Sequence, residues 1–209
     1  MGKTGKGGGE MTELWCLMWD RPLTPAERET LTAMLPPRRR QRLPVLPRRQ
    51  AEPLCAYGLL RLALWERHGV RELPAIALSN HGKPYFPAFP QLHFSISHTE
   101  GAALVGLSDA PVGVDVEKVR PVGPRLKALL GADRTDEEAL RRWTCREAHA
   151  KRTGLGLAEA MQAQLHLEAG ETCRCVEAAR GYAAAFSVTG PPPQTLHRRT
   201  LADILGDGR

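Results

Sequence analysis

Apolar positions in the first part of the chain alternate between extended and helical patterns. The apolar run from Leu14 to Trp19 is typical of a buried strand. Thr24 to Glu27 then combines a capping threonine, a proline in the first turn and a glutamate at the reciprocal position, which predicts the start of a helix. We expect this helix to end before Pro36. A second helix is predicted from Leu54 to Trp65, and Gly69 should stop it.

Three extended segments follow each other closely in the middle of the chain. They are His93 to Ser97, Ala102 to Leu107 and Val112 to Glu117. The connection from Ser108 to Pro111 is short, so we expect the second and third segments to form an antiparallel hairpin.

The second half also combines helix and strand patterns. Thr135 to Glu138 predicts another helix start, and Gly154 should end that helix. Strand-like alternation follows at Gln164 to Glu168, Thr172 to Glu177 and Tyr182 to Val188. A helix with short antiparallel strands in each half predicts an α+β fold rather than a parallel βαβ protein.

The length of 209 residues, 42% of them hydrophobic, is enough for one large or two small cores. We expect a flexible tail at residues 1–12, an N-terminal half at 13–111 and a C-terminal half at 112–209. No apolar run approaches the roughly 18 residues of a membrane span. The start also lacks the apolar segment of a secretory signal, so we expect a location in the cytoplasm and no membrane partner. We also expect a monomer.

The five cysteines are scattered, and their odd number argues against a disulfide framework. Cys173 and Cys175 are separated by one residue and lack the second ligand pair of a common zinc site. We expect them to be two cysteines on one face of a strand.

Positive charge dominates, with 23 arginines, six lysines and a net charge of +6. Six of the arginines lie between Arg38 and Arg49. An anionic ligand, an acidic partner or simple codon bias would each explain this excess. A nucleic-acid partner is not expected, because aromatic residues are only 5% of the chain and none lies among these arginines.

Two acids lie close together in the segment from Val112 to Glu117. Residues two apart in a strand face the same way, so the valines point into a core while Gly113, Asp115 and Glu117 share the opposite, open face. Two carboxylates on one face repel each other unless a cation lies between them. Oxygen ligands suit Mg²⁺. An exposed edge strand with ordinary surface acids would show the same pattern.

The third predicted helix carries a row of candidate site residues on one face. Trp143, Glu147 and Lys151 are four residues apart and lie on one helical face. A Glu four residues before a Lys is also a common exposed ion pair. The tryptophan favours a partly buried cleft, in which Glu147 is a candidate third carboxylate ligand and Lys151 a cation for phosphate.

Polar groups suited to a phosphate lie at the end of a strand, at Ser97 and His98. Lys83, which follows a turn and precedes Pro84, offers a further cation. A lone histidine is more often structural, so this segment gains weight only together with the others.

Four motifs in this order resemble the 4'-phosphopantetheinyl transferase superfamily, specifically its longer Sfp type. They are Gly82-Lys83-Pro84, Phe94-Ser95-Ile96-Ser97-His98, Val112-Gly113-Val114-Asp115-Val116-Glu117 and Trp143-Thr144-Cys145-Arg146-Glu147-Ala148-x-x-Lys151. The resemblance implies two similar α+β halves, related by pseudo-twofold symmetry and built on short antiparallel sheets. Coenzyme A would lie in the cleft between them.

The resemblance also implies a role for each site residue. Asp115, Glu117 and Glu147 would hold Mg²⁺ against the pyrophosphate of coenzyme A. The residues implied in binding coenzyme A are Arg39 and Arg42 over the nucleotide, Lys83 and His98 at the 3'-phosphate, and Pro84, Ser97, Asp115 and Lys151.

The implied reaction moves phosphopantetheine from coenzyme A to a serine of an apo acyl or peptidyl carrier protein. The serine hydroxyl attacks the β-phosphorus and 3',5'-ADP leaves. Lys151 would stabilise or protonate the leaving phosphate, and either Glu147 or a metal-bound water or hydroxide would take the serine proton. The alternative is a degenerate member that binds coenzyme A or a carrier protein without transfer.

Overall fold

The computed structural model describes residues 11–131, 135–156, 158, 161 and 165–206. The strands are β1 (Thr12–Met18), β2 (Ala77–Leu78), β3 (Pro84–Tyr85), β4 (His93–Thr99), β5 (Ala102–Ser108), β6 (Val112–Lys118), β7 (Glu171–Cys175), β8 (Tyr182–Thr189) and β9 (Leu196–Arg199). The helices are α1 (Pro25–Ala33), α2 (Pro37–Arg40), α3 (Ala51–His68), α4 (Pro124–Leu130), α5 (Asp136–Thr153) and α6 (Leu201–Leu205), with a short 3₁₀ turn at Pro47–Arg49.

The predicted helix ends are confirmed by local hydrogen bonds. Thr24 Oγ1 accepts from the backbone N–H of Glu27 at 3.2 Å, and the Glu27 carboxylate accepts from the backbone N–H of Thr24 at 2.7 Å. Thr135 caps α5 in the same way by accepting from the N–H of Glu138. Gly69 and Gly154 end α3 and α5 with φ of 68° and 79°, a left-handed conformation that glycine adopts without strain.

Two sheets carry the fold. The first has the order β4-β5-β1-β9, in which β9 runs parallel to β1 and the other pairs are antiparallel; the second is fully antiparallel, with the order β6-β8-β7. The predicted hairpin of β5 and β6 is therefore wrong. Both edges of β5 are taken by β1 and β4, so the chain crosses to the second sheet at Ser108 to Pro111.

Three hydrophobic cores separate the layers. The first, which includes Leu59, lies between α3 and the first sheet. The second lies between the two sheets and joins Leu104 to Val114. The third packs α4 and α5 on the second sheet through contacts such as Leu140 with Ala183. The fold is thus a mixed α+β structure with a helix–sheet–sheet–helix layering and short sheets.

Other expectations have mixed outcomes. Residues 165–168 do not form the strand predicted from Gln164 to Glu168, and position 164 lies outside the described residues. The first ten residues of the predicted tail also lie outside them, and Thr12 already begins β1. The division into halves at residue 111 and their pseudo-twofold symmetry stay predictions. Strand β9 and helix α6 belong to the second half in sequence but pack with the first half, since β9 pairs with β1 and α6 packs against α3.

None of the helices in the described part of the chain combines the length and the apolar character needed to cross a bilayer.

Candidate active site

The edge strands β4 and β6 belong to different sheets and are joined by side-chain hydroxyls. Three backbone N–H groups of β6 donate to hydroxyl oxygens of β4 at 3.0 to 3.5 Å: Val114 to Ser95, Val116 to Ser97 and Lys118 to Thr99. The hydroxyls replace the carbonyls of an ordinary ladder. Because strand side chains alternate with a period of two, this arrangement fixes the register between the two strands.

Gly113 allows α5 to pack directly on β6. A Cβ at this position would lie 1.9 Å from the backbone oxygen of Ala148 and 2.6 Å from the backbone nitrogen of Arg152. Val114 faces the inter-sheet core as predicted. The opposite face was expected to be open, which is wrong at Asp115: α5 packs over this strand, and only 3% of the residue is exposed.

Asp115 lies at the centre of a small buried network. Lys151 Nζ is 2.6 Å from Asp115 Oδ1, and the Ser97 hydroxyl donates to the same oxygen at 2.7 Å. Lys151 also donates to Ser97 Oγ at 3.0 Å. The other carboxylate oxygen, Asp115 Oδ2, is buried without a hydrogen-bond partner among the described residues. A buried carboxylate oxygen without a donor is costly, so a ligand there would be stabilising.

Two further acids surround this network. Burial and the negative charge of Asp115 raise the pKa of both Glu117 and Glu147. The positive charge of Lys151 lowers the pKa of both glutamates, and its Nζ lies 3.8 Å from Glu147 Oε2. The negative charge of Glu117 raises the pKa of Glu147 further. The structure therefore brings the three predicted acids into one electrostatic cluster, whose cations are Lys151 and Arg120, the latter 3.6 Å from Glu117.

The donor set suits a hard divalent cation, because every ligand is a carboxylate oxygen and one of these oxygens lacks a partner. In the conformation shown, however, no group of three or more His, Cys, Asp or Glu side chains within the described ranges converges closely enough to hold a metal ion. The ammonium of Lys151 is instead the cation in contact with Asp115.

Lys83 faces the end of α5. Its Nζ donates to the backbone oxygen of Arg152 at 2.6 Å and approaches that of Val112 at 3.5 Å. Burial, together with the charge of Arg152, lowers the pKa of Lys83 to about 8. A cation at the C-terminus of a helix stabilises its unpaired carbonyls. In this conformation Lys83 therefore secures α5 to the turn before β3.

His98 is held by a residue that sequence reasoning missed. Its Nδ1 lies 3.4 Å from a carboxylate oxygen of Glu52, at the start of α3. Burial lowers the pKa of His98, Glu52 opposes this change and Lys151 adds to it. His98 is thus within electrostatic reach of Lys151 in the Asp115 network, and its contact with the 3'-phosphate stays a prediction. Nothing in the sequence pattern pointed to Glu52, because it is adjacent to His98 only in the folded chain.

A cavity of about 340 Å³ opens beside this network. The residues predicted for the site that line it are Lys83, Pro84, Glu147 and Lys151. Two segments that lie more than 60 residues apart in the sequence therefore share one pocket, whose walls carry both signs of charge.

Comparison with known proteins finds several similar transferases. No family model matches the sequence. A 4'-phosphopantetheinyl transferase of Bacillus subtilis is 25% identical over 160 residues, which cover 69% of this chain and 71% of the relative. The Sfp transferase of Bacillus subtilis strain 168 is 22% identical over the same shares, and a relative from Bacillus pumilus is 28% identical over 110 residues, 44% of this chain and 47% of its own length. These similarities confirm the resemblance to the 4'-phosphopantetheinyl transferase superfamily and to its Sfp type.

The two arginines that this resemblance places over the nucleotide lie beside helix α3. Arg39 lies over the ring of Tyr57, with 5.7 Å from its Cζ to the ring centroid. Burial raises the pKa of Tyr57, and Arg39 and Arg42 both lower it. The two arginines thus flank α3 at Tyr57, and neither is among the described residues that line the smaller cavity.

A larger cleft of about 860 Å³ lies on another side of the Asp115 network. Five cations line it, from both parts of the chain: Arg21, Arg28, Arg48, Lys118 and Arg180. It reaches the site through Glu52, the partner of His98, and through the residue that follows Glu117.

Proposed function

We propose that this chain transfers the 4'-phosphopantetheine group from coenzyme A to a serine of an acyl or peptidyl carrier protein and releases 3',5'-ADP. The names of its relatives support this activity. The observation that carries the proposal is the contact of Asp115 with Lys151, two motif residues 36 positions apart, at 2.6 Å. The contact thus places an acid that can bind a metal ion and a lysine that can bind phosphate beside one pocket.

We further propose that Asp115, Glu117 and Glu147 hold a magnesium ion. Three observations support it: all donors are oxygens, Asp115 Oδ2 lacks a partner among the described residues, and burial followed by the negative charge of Asp115 raises the pKa values of both glutamates. When bound, such an ion supplies positive charge to phosphate oxygens.

The chain's own residues would then divide the remaining work. The ammonium of Lys151 would offset negative charge on the phosphate that leaves with 3',5'-ADP. Ser97 would hold that ammonium and Asp115 in position, since it bonds both. Glu147 lines the cavity and would take the proton of the carrier serine.

Mass spectrometry of an apo carrier protein incubated with coenzyme A and Mg²⁺ tests the proposal. We expect the wild-type protein to add the mass of phosphopantetheine to the carrier serine. Glu147→Gln should abolish transfer while circular dichroism shows an intact fold. Glu137→Gln is the matched control: it lies on the same helix, is exposed and pairs with Arg141 at 3.3 Å, so it should keep wild-type turnover. Near-normal turnover of Glu147→Gln would refute the assignment.

A second candidate is a member that binds coenzyme A or a carrier protein without transfer. The pairing of Lys151 with Asp115 favours it, because the described acids do not converge on one point in this conformation. Calorimetry that detects coenzyme A binding, together with an unchanged carrier mass across a panel of apo carriers, would support this second function.

A further inference from the structure

Three cysteine thiols from distant positions meet on the outer side of α5. Cys145 lies on the helix, and Cys173 and Cys175 lie on β7, the edge strand of the second sheet. Because residues two apart in a strand face the same way, both β7 thiols point towards the helix. Cys173 Sγ donates to the backbone oxygen of Cys145 at 3.1 Å, and Cys145 Sγ lies 3.7 Å from Cys175 Sγ.

The geometry favours one pair over the others. The sulfurs of Cys145 and Cys175 are already in van der Waals contact, and a disulfide bond of about 2.05 Å requires them to approach by less than 2 Å. β7 pairs with another strand on one side only, so it can follow such a movement. The Cys173 thiol also interacts with the thiol of Cys145, but it donates to the backbone oxygen of that residue at 3.1 Å and is less exposed than Cys175.

Access to solvent also singles out this pair. Cys175 is exposed and Cys145 is partly buried, whereas Cys16 and Cys55 are buried in the cores of the first sheet, at 1% and 0% exposure. A dissolved oxidant therefore reaches Cys175 first in the folded protein, and the two core thiols are protected.

We propose that Cys145 and Cys175 form a reversible disulfide, with a small-molecule disulfide as the oxidant. The thiolate of Cys175 attacks one sulfur of the oxidant, which forms a mixed disulfide and releases one thiol. The thiolate of Cys145 then attacks the sulfur of Cys175 and releases the second thiol. The two protein thiols lose two protons and two electrons, and the oxidant is reduced to two thiols.

The bond would fasten α5 to the edge of the second sheet. Cys145 lies two residues before Glu147, so the link would restrain the helix that carries the site acid and Lys151. It would close a loop of 30 residues between its ends, which restricts the unfolded chain. Oxidised protein should therefore unfold at a higher temperature than reduced protein.

The test uses the folded full chain and oxidised glutathione, and it does not depend on transferase activity. We expect the intact mass to fall by two hydrogen atoms, a reductant to reverse this change, and peptide mapping to link Cys145 with Cys175. Cys173→Ser is the matched control and should still form the link. The Cys175→Ser variant should not form the link, so its intact mass should not fall by two hydrogen atoms.

Three results would overturn the proposal. They are an unchanged mass of the folded wild-type protein, a mapped link that contains Cys173, and a link that forms only in denaturant.

Discussion

Gly113→Ala is the substitution for which the structure gives the sharpest expectation. Contacts of a Cβ with heavy atoms begin to be ordinary at 3.4 Å, whereas the new Cβ would lie 1.9 Å from the backbone oxygen of Ala148. Helix α5 must therefore move by about 1.5 Å, because a backbone atom, unlike a flexible side chain, cannot turn aside. Overpacking of a close contact typically costs about 1–3 kcal/mol of unfolding free energy. We expect the upper end of that range here.

The same movement should damage the site more than the fold. Displacing α5 shifts Lys151 away from Asp115, which it contacts at 2.6 Å. A misplacement of about 1 Å in a catalytic arrangement can reduce a rate by about 100-fold. We therefore expect Gly113→Ala to lower the kcat of transfer by about that factor while the protein still folds at 25 °C.

Urea denaturation and the carrier mass assay measure these two effects. Gly123→Ala is the matched control, because its Cβ would meet no atom within 4 Å and its φ of −64° suits alanine. As this glycine caps α4, its replacement should cost less than about 1 kcal/mol. If both variants unfold at the same urea concentration and turn over equally fast, the close packing of α5 on β6 is not what positions Lys151.

Two further predictions concern hydrogen bonds around the site. Ser95→Ala removes the oxygen that accepts from the buried N–H of Val114 at 3.0 Å, so urea denaturation should show a loss of about 1–3 kcal/mol; Ser79→Ala, which removes an acceptor in an exposed turn, should cost clearly less, and equal losses would contradict the reasoning. The pKa of Lys83 is about 8 in the folded chain against an ordinary value of 10.5, so the folded state binds fewer protons than the unfolded state between these pH values. The free energy of unfolding should then rise with pH across this window relative to Lys83→Met, and parallel pH curves would refute it.

The parts of the fold that depend on neighbours in sequence could be predicted from it. The helix starts at Thr24 and Thr135 depend on contacts within four residues, and the stop at Gly69 depends on a single backbone conformation. The hairpin of β5 and β6 failed for the opposite reason. A short connection allows either a hairpin or a crossing to another sheet, and β1, which lies about 90 positions earlier, decides between them by pairing with β5.

The site shows the same division. Alternation in β6 predicted that Asp115 lies opposite the valines, and this is what the structure has. The role of Gly113 was not predictable, because the atom it admits, the oxygen of Ala148, belongs to a helix 35 residues away. Lys83 was recognised as a cation of the site, but its contact with Arg152 depends on where α5 ends.

Excess negative charge makes the cluster around Asp115 unfavourable for folding unless a cation binds there. Three carboxylates face the ammonium of Lys151 and the guanidinium of Arg120, which lies 3.6 Å from Glu117, so negative charges outnumber positive ones by one among these described residues. Raised pKa values of both glutamates mean that their charged forms are disfavoured in the folded state, and ionising them lowers the stability of the fold as pH rises. A fold selected for stability alone would replace one of these acids by a neutral residue. The presence of all three acids in one cluster is therefore the physical basis on which we propose a divalent cation here.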